Sequence, residues 1–173
     1  MKMRGGRITA LIGCAVLAAA LAACSRSGPA SPPQRLRAFG AQDKPITLNG
    51  ITAEEGGWRV ERGAAESVRL FEVENPGVEY TTLTYRARMK AKDIAGKAYL
   101  EMWVRVPGRG EFFSRGLAQP LQGTSNWASY EIPFFLNERG IRPDLVKLNL
   151  AFEGGGGTVW IKDVELLQAP LAG

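Results

Sequence analysis

Aromatic and charged side chains share one face of a predicted strand near the middle of the chain. In the segment KAYLEMWVRV (97–106) apolar and polar residues alternate, so Tyr99, Glu101, Trp103 and Arg105 lie on one side. A saccharide offers C–H faces that stack on aromatic rings and hydroxyls that hydrogen-bond to charged or amide groups. The pattern therefore predicts a site for a carbohydrate or a similar polar ligand.

Two other predicted strands carry residues of the same kind. Arg86 and Arg88 lie on the strand before this one, and Lys147 and Asn149 lie on a later one. We expect the two arginines to flank Glu101 across neighbouring strands, and the later pair to join them if its strand belongs to the same sheet. The pattern fits equally well a solvated sheet face whose charges keep the protein soluble.

Residues suited to catalysis are scarce. The chain has no histidine, which removes the commonest general base and rules out a Ser-His-Asp arrangement. A glycoside hydrolase needs two carboxylates about 5–9 Å apart across a cleft. Glu101 could be one, with Glu131 or Glu153 as the second, but an ion pair between Glu101 and a cross-strand arginine is the simpler interpretation. We therefore predict no catalytic residue and no enzyme, and rank a glycoside hydrolase last.

Asp163 interrupts an apolar strand near the C-terminus. It could pair with an arginine. Alternatively, it could help to bind a structural calcium ion together with backbone carbonyls and a second carboxylate such as Glu54 or Glu55. We expect no other cofactor.

Short runs of β-forming residues, separated by turn residues, extend from about Pro45 to residue 169. They predict an all-β domain over 45–169, an antiparallel β-sandwich or jelly roll of eight or nine strands, followed by a tail at 170–173. A turn is expected between Asp93 and Gly96. The predicted strands are 46–52, 58–62, 67–74, 79–91, 97–106, 111–116, 127–135, 145–153 and 158–168.

The N-terminus has the composition of a secretion signal. Lys2, Arg4 and Arg7 precede an apolar stretch at 8–20 that is shorter than the roughly 20 residues of a membrane span. The sequence Leu21-Ala22-Ala23-Cys24 then resembles the lipobox of bacterial lipoproteins. The resemblance implies that residues 1–23 are a signal peptide.

Cys24 would then be the first residue of the mature protein and would carry the lipid that attaches it to a membrane. It is also the only cysteine left after cleavage, so no internal disulfide is expected. Ser25, in place of an aspartate, favours the outer membrane if the cell has one. Residues 24–44 are rich in Ser, Gly, Pro and Arg, which predicts a flexible tether.

The charge of the predicted mature chain is close to balanced. The whole chain has 22 basic and 17 acidic residues, and loss of Lys2, Arg4 and Arg7 leaves 19 basic residues, so the net charge falls from +5 to +2. Such a balance gives no reason to expect a nucleic-acid partner.

Two segments carry a resemblance to a known family. Gly123-Thr124-Ser125-Asn126-Trp127, which continues to Tyr130-Glu131-Ile132-Pro133-Phe134, and the terminal run 157–164 (GTVWIKDV) resemble the galactose-binding-domain-like jelly rolls. These occur in carbohydrate-binding modules and in exported bacterial proteins. The resemblance covers roughly residues 66–168. It implies a jelly-roll fold with Trp127 and Tyr130 as framework residues, and it places Asp163 at an acidic position where some members supply a calcium ligand, although Lys162 replaces the preceding acidic residue.

The expected function is that of a lipoprotein of the cell envelope, attached to the membrane through Cys24. Its β-sandwich is expected to bind a carbohydrate or similar polar ligand on an open sheet face without catalysis. The alternative is a structural lipoprotein that uses this face to bind another envelope protein.

Overall fold

The computed structural model describes residues 32–171, so the predicted signal peptide, Cys24 and residues 24–31 of the predicted tether lie outside the described residues. Within that range the chain forms nine antiparallel strands, and no helix is long and apolar enough to cross a membrane. The strands are β1 (Gln34–Phe39), β2 (Ile51–Glu54), β3 (Gly57–Arg62), β4 (Glu66–Glu74), β5 (Thr82–Val106), β6 (Gly110–Arg115), β7 (Leu121–Phe135), β8 (Leu145–Glu153) and β9 (Gly157–Ala169). The all-β prediction is confirmed.

Strand β5 organises the sandwich because its two halves pair with different neighbours. Residues 82–92 pair with β9 on one side and β7 on the other, whereas residues 97–106 pair with β8 and β6. The first half, with β9, β7, β3, β2 and β1, forms what we call the first sheet. The second half, with β8, β6 and β4, forms the second sheet.

The predicted turn between Asp93 and Gly96 is wrong. Asp93 adopts a left-handed conformation (φ 55°), which kinks the strand without ending it. The kink also changes which residues face inwards: Leu83 to Ala91 are buried at odd positions, and Ala98 to Val106 at even positions. The odd positions from Leu83 to Ala91 and the even positions from Ala98 to Val104 belong to one hydrophobic core between the sheets.

The predicted tether is partly wrong as well, because residues 34–39 form β1. Gln34 pairs with Gln168 and Phe39 with Val164, so β1 extends the first sheet along β9. The Phe39 ring stacks on Phe71 at 4.1 Å between centroids. Burial of such a side chain contributes about 1.5–3 kcal/mol, so the folded domain includes residues ahead of Pro45.

The predicted strand at 46–52 instead joins the two sheets. Ile46 and Thr47 donate backbone hydrogen bonds to the carbonyls of Leu70 and Arg69 on β4, at 2.9 and 3.1 Å. Ile51 then begins β2, which pairs with β3 in the first sheet. This crossing places Ile46 and Thr47 beside the outer face of the second sheet.

Candidate functional site

The outer face of the second sheet contains a groove that runs across its strands. Its volume is about 560 Å³. Neighbouring strands place Glu101 beside Asn149 on one side and Arg115 on the other, and they place Trp103 beside Lys147 and Phe113. The lining residues are Ile46, Thr47, Ser67, Arg69, Glu101, Trp103, Glu111, Arg115, Lys147 and Asn149.

Glu101 forms the floor of this groove and is only 2% exposed. One carboxylate oxygen accepts hydrogen bonds from Ser67 Oγ at 2.6 Å and from Asn149 Nδ2 at 3.3 Å. The other accepts one from Arg115 Nε at 2.7 Å. The donors come from β4, β8 and β6, so one buried carboxylate fixes side chains from all the strands around it.

Burial alone would raise the pKa of Glu101, but the hydrogen bonds from Ser67, Trp103, Arg115 and Asn149 together outweigh it, and the pKa is lowered. Glu101 is therefore ionised at neutral pH. A general acid of a glycoside hydrolase needs a raised pKa instead, so Glu101 is unsuited to that role.

Trp103 is the aromatic residue that lines the groove, and Phe113 packs against it on the same sheet face. Their ring centroids lie 5.0 Å apart with the planes tilted by 46°. The Arg115 guanidinium lies 4.6 Å from the centre of the Phe113 ring, while its Nε binds Glu101. An apolar ring thus stands next to fixed hydrogen-bonding groups, which is the arrangement that a sugar ring requires.

Ion pairs hold the other charged residues of this face. Lys147 Nζ lies 2.5 Å from a carboxylate oxygen of Glu111. Arg105 makes two hydrogen bonds to Asp144, at 2.8 and 3.1 Å. A second depression of about 490 Å³ continues the groove past these pairs, and it is lined by Arg69, Glu72, Glu74, Asn75, Arg105, Asp144, Leu145 and Lys147.

Tyr99 lies at the other end of this face and is almost fully buried. Its hydroxyl donates to Glu153 at 2.9 Å. Burial, followed by this bond to a carboxylate, raises the pKa of Tyr99 to about 12. The residue belongs to the predicted face but contributes no atom to the groove lining.

Six of the eight predicted ligand-binding residues therefore share one sheet face: Tyr99, Glu101, Trp103, Arg105, Lys147 and Asn149. Arg86 and Arg88 do not, and their predicted position beside Glu101 is wrong. They lie on the first half of β5, where Arg86 binds Glu165 of β9 at 2.8 Å. The prediction failed because it treated the halves of β5 as two adjacent strands, whereas they belong to different sheets.

Sequence reasoning missed Ser67, Arg69, Glu111, Phe113 and Arg115. Three of them lie on β6, and the sequence Pro107-Gly108-Arg109-Gly110 ahead of that strand is typical of a turn. A hairpin there pairs Trp103 with Phe113 and Glu101 with Arg115. The alternation of Glu111, Phe113 and Arg115 then puts all three on the groove side.

The other acidic candidates lie elsewhere. Glu131 pairs in register with Arg86 on the first sheet, and Glu153 binds Tyr99. Asp163 is an exposed extra residue in β9 between Lys162 and Val164, with φ 51°. Residues 32–171 contain no group of three or more Cys, Asp or Glu side chains placed to hold a metal ion, and the calcium site stays a prediction.

A smaller apolar cleft of about 110 Å³ lies at one edge of the sandwich. It is lined by Phe112, Phe134 and Ile141, among other residues, and Phe112 is 44% exposed. Its lining has few hydrogen-bonding groups at fixed positions. The cleft is therefore less suited to a polar ligand than the groove.

Comparison with known proteins identifies the fold but no family. No family model and no curated protein matches the chain. Among solved structures, the CBM22-1 xylan-binding domain of Xyn10C from Paenibacillus barcinonensis aligns with 83% of this chain and 100% of its own, at 11% identity and a TM-score of 0.52. The chain has a jelly-roll fold.

Two other similar structures illustrate the range of proteins with this fold. The infectious bursal virus protein of a T=1 particle covers 82% of this chain and 32% of its own, at 11% identity and a TM-score of 0.50. The family 16 carbohydrate binding module-2 covers 73% and 92%, at 10% identity and a TM-score of 0.46. Because the xylan-binding domain and the viral particle protein share the architecture, the fold does not decide the function.

Proposed function

We propose that this protein is a non-catalytic carbohydrate-binding module, attached to the cell envelope through a lipid on Cys24, and that it binds a saccharide in the groove of the second sheet. The observation that carries the proposal is Trp103, an aromatic surface set beside the fixed polar groups of Glu101 and Asn149. The xylan-binding domain described above has the same fold, which is compatible with this function.

The groove has the size and composition of a ligand site. Its volume of about 560 Å³ lies within the roughly 300–1,000 Å³ typical of such sites. Most charged groups in the groove are already paired, Arg115 with Glu101 and Lys147 with Glu111. The groove therefore has little unbalanced charge that would favour an ionic ligand. A neutral saccharide fits this balance best.

The groove is also largely preorganised. Glu101 is held by three hydrogen bonds from three strands, so little side-chain entropy remains to be lost when a ligand binds. The same bonds keep the carboxylate ionised, which does not suit a general acid. Binding without turnover is the expected outcome.

Isothermal titration calorimetry against a panel of neutral oligosaccharides, xylan fragments included, tests the proposal. We expect binding by the wild type and a loss of about 10–100-fold in Trp103→Ala, because aromatic anchors account for about 1.4–3 kcal/mol in such sites. Phe135→Ala is the matched control, since Phe135 is 60% exposed and lies outside the groove. No binding to any glycan, or unchanged binding by Trp103→Ala, contradicts the proposal.

The lipid anchor has a separate test. Metabolic labelling with a palmitate analogue is expected to mark the wild type and not Cys24→Ser. Cys14→Ser provides the control, because Cys14 lies within the predicted signal peptide and its loss should leave labelling intact. Equal labelling of the Cys24→Ser variant would show that the membrane attachment is assigned wrongly.

A further inference from the structure

The outer face of the first sheet carries two tryptophans and three cations on neighbouring strands. We call this set the tryptophan–lysine surface and define it by Arg88 and Lys90 on β5, Trp127 on β7, and Trp160 and Lys162 on β9. Lys90 pairs in register with Trp160, and Arg88 with Lys162. None of these five residues lines the groove, so the surface is separate from the site proposed above.

The ammonium groups of this surface lie close to the indole rings. Lys90 Nζ is 4.6 Å from the centroid of the Trp160 ring and 5.4 Å from that of Trp127. Lys162 Nζ is 4.2 Å from the Trp127 ring. Cation–π contacts of this kind hold both lysines over the sheet instead of leaving them free in solvent.

Two of the cations lack an acidic partner. Arg88 and Lys162 lie directly opposite each other on adjacent strands, and like charges in that position are unfavourable. Neither forms an ion pair with any acid of residues 32–171. A bound anion between them would remove this repulsion.

Glu55 already supplies one carboxylate to the surface. It lies in the turn between β2 and β3 with φ 53°, a left-handed conformation that is costly for glutamate. From there it accepts a hydrogen bond from Lys90 at 2.5 Å and one from Trp127 Nε1 at 3.3 Å. The hydrogen bond with Lys90, above all, lowers the pKa of Glu55. This surface therefore accepts a carboxylate, and Lys90 is the cation that pairs with it.

We propose that the tryptophan–lysine surface is a second binding site, and that it binds the carboxylate or sulfate group of an acidic saccharide. The Arg88 guanidinium offers two parallel N–H donors that match such a group, and Lys162 supplies a second charge beside the Trp127 ring. The sugar ring then rests beside Trp127 on the side of Arg88 and Lys162, because Lys90 already lies between the two tryptophans.

The number of cations argues for a saccharide over a membrane surface. Recognition of anionic lipids typically needs a cluster of about four to eight lysines or arginines. Here Lys90 is paired with Glu55, and Arg59, which lies beside Trp160, is paired with Glu61, so among these cations only Arg88 and Lys162 are without an ion pair within residues 32–171. The near balance of charge in the predicted mature chain gives no broad basic field either. A single acidic group, held at a fixed position, matches the observed set.

Titration with a galacturonic acid hexamer and with a sulfated oligosaccharide tests the site, and a neutral hexamer serves as the reference. We expect the Arg88→Gln/Lys162→Gln double variant to bind at least one acidic probe about tenfold or more weakly than the wild type, as loss of two charge-assisted contacts implies. Glu55→Gln should bind it about threefold or more tightly, because the internal carboxylate no longer competes. The two probes distinguish a carboxylate site from a sulfate site.

Lys92→Gln is the matched control, because Lys92 is exposed, lies on the same strand and has no ion-pair partner within residues 32–171. It should change binding less than twofold if the contacts are specific. The inference is overturned if neither acidic probe binds to the wild type or Glu55→Gln, if Lys92→Gln weakens binding as much as the double variant, or if the same residues bind phosphatidylglycerol vesicles in preference to both probes. Melting temperatures of all variants check that they are folded.

This inference does not depend on the groove. Trp103→Ala should leave the acidic probe bound with wild-type affinity, and the Arg88/Lys162 variant should leave neutral oligosaccharide binding intact. Loss of acidic binding in Trp103→Ala would place the acidic group in the groove and refute a second site.

Discussion

Replacement of Glu101 by glutamine is the most informative single change in this protein. The substitution keeps the size of the side chain but removes its charge. It also places an amide NH₂ group, which is a donor, at a position that is surrounded by hydrogen-bond donors. The carboxylate now accepts bonds from Ser67, Asn149 and Arg115 at 2.6, 3.3 and 2.7 Å. In Glu101→Gln the new NH₂ group faces one of these donors, and the other bonds lose their charge assistance.

The expected loss of stability follows from these contacts. Hydrogen bonds to a charged group contribute about 1.5–3 kcal/mol, and the Arg115 part must be discounted because its side chain is 37% exposed. We therefore expect the free energy of unfolding to fall by about 2–3 kcal/mol, and the melting temperature by about 6–12 °C. Urea unfolding monitored by circular dichroism measures the change in the free energy of unfolding. Glu111→Gln, which breaks the more exposed pair with Lys147, should cost less than about 1 kcal/mol.

The effect of Glu101→Gln should depend on pH in a defined direction. Because the pKa of Glu101 is lowered from its ordinary value of 4.5, the folded state favours the ionised form. This stabilisation is fully present above the unfolded value and disappears as the pH falls through the folded pKa. The stability difference between wild type and variant should thus be constant at neutral pH and shrink below about pH 4.5. Equal stability at pH 7, or a difference that grows in acid, would refute the assignment of Glu101 as an ionised floor.

Three further changes probe the fold. Phe39→Ala should lower the free energy of unfolding by about 3–5 kcal/mol, because it removes the stack on Phe71. Limited proteolysis should then cut within β1, and an uncut β1 would contradict this prediction. Asp163→Val should destabilise the fold by about 1–3 kcal/mol because the φ of 51° at residue 163 disfavours β-branched residues, whereas Asp163→Gly should be tolerated. If calcium raises the melting temperature of the wild type but not of these variants, the calcium site is favoured instead. Tyr99→Phe should remove the tyrosinate step near pH 12 from an absorbance titration and cost about 1 kcal/mol through the lost bond to Glu153. An unchanged titration would exclude Tyr99 as the source of this step.

Alternation within single strands was the part of the structure that the sequence predicted well. It placed Glu101 and Trp103 on the same face, and Lys147 and Asn149 on the same face of β8, because side chains in a strand point to opposite sides in turn. The pairing of these strands then produced the groove. The alternation follows from each strand by itself, and the pairing required only the assumption that the strands share a sheet.

Pairing between distant strands could not be read in the same way. The segment around Asp93 has the composition of a turn, but its left-handed residue only kinks β5, and Arg88 therefore lies on another sheet from Glu101. Ser67 and Arg69 reach the groove through the pairing of β4 with β8, about eighty residues apart in sequence. Such register depends on how two sheets close over a common core, which local patterns do not encode.

The continuity of β5 has a consequence for cooperativity. Because a single strand of 25 residues is hydrogen-bonded into both sheets, neither sheet can open without disturbing backbone bonds of the other. The sandwich should therefore unfold as one unit. Occupation of the groove on the second sheet should also slow amide hydrogen exchange in β9, which lies on the first sheet and touches no ligand. The shared strand couples the stability of the two sheets, although their outer faces point in opposite directions.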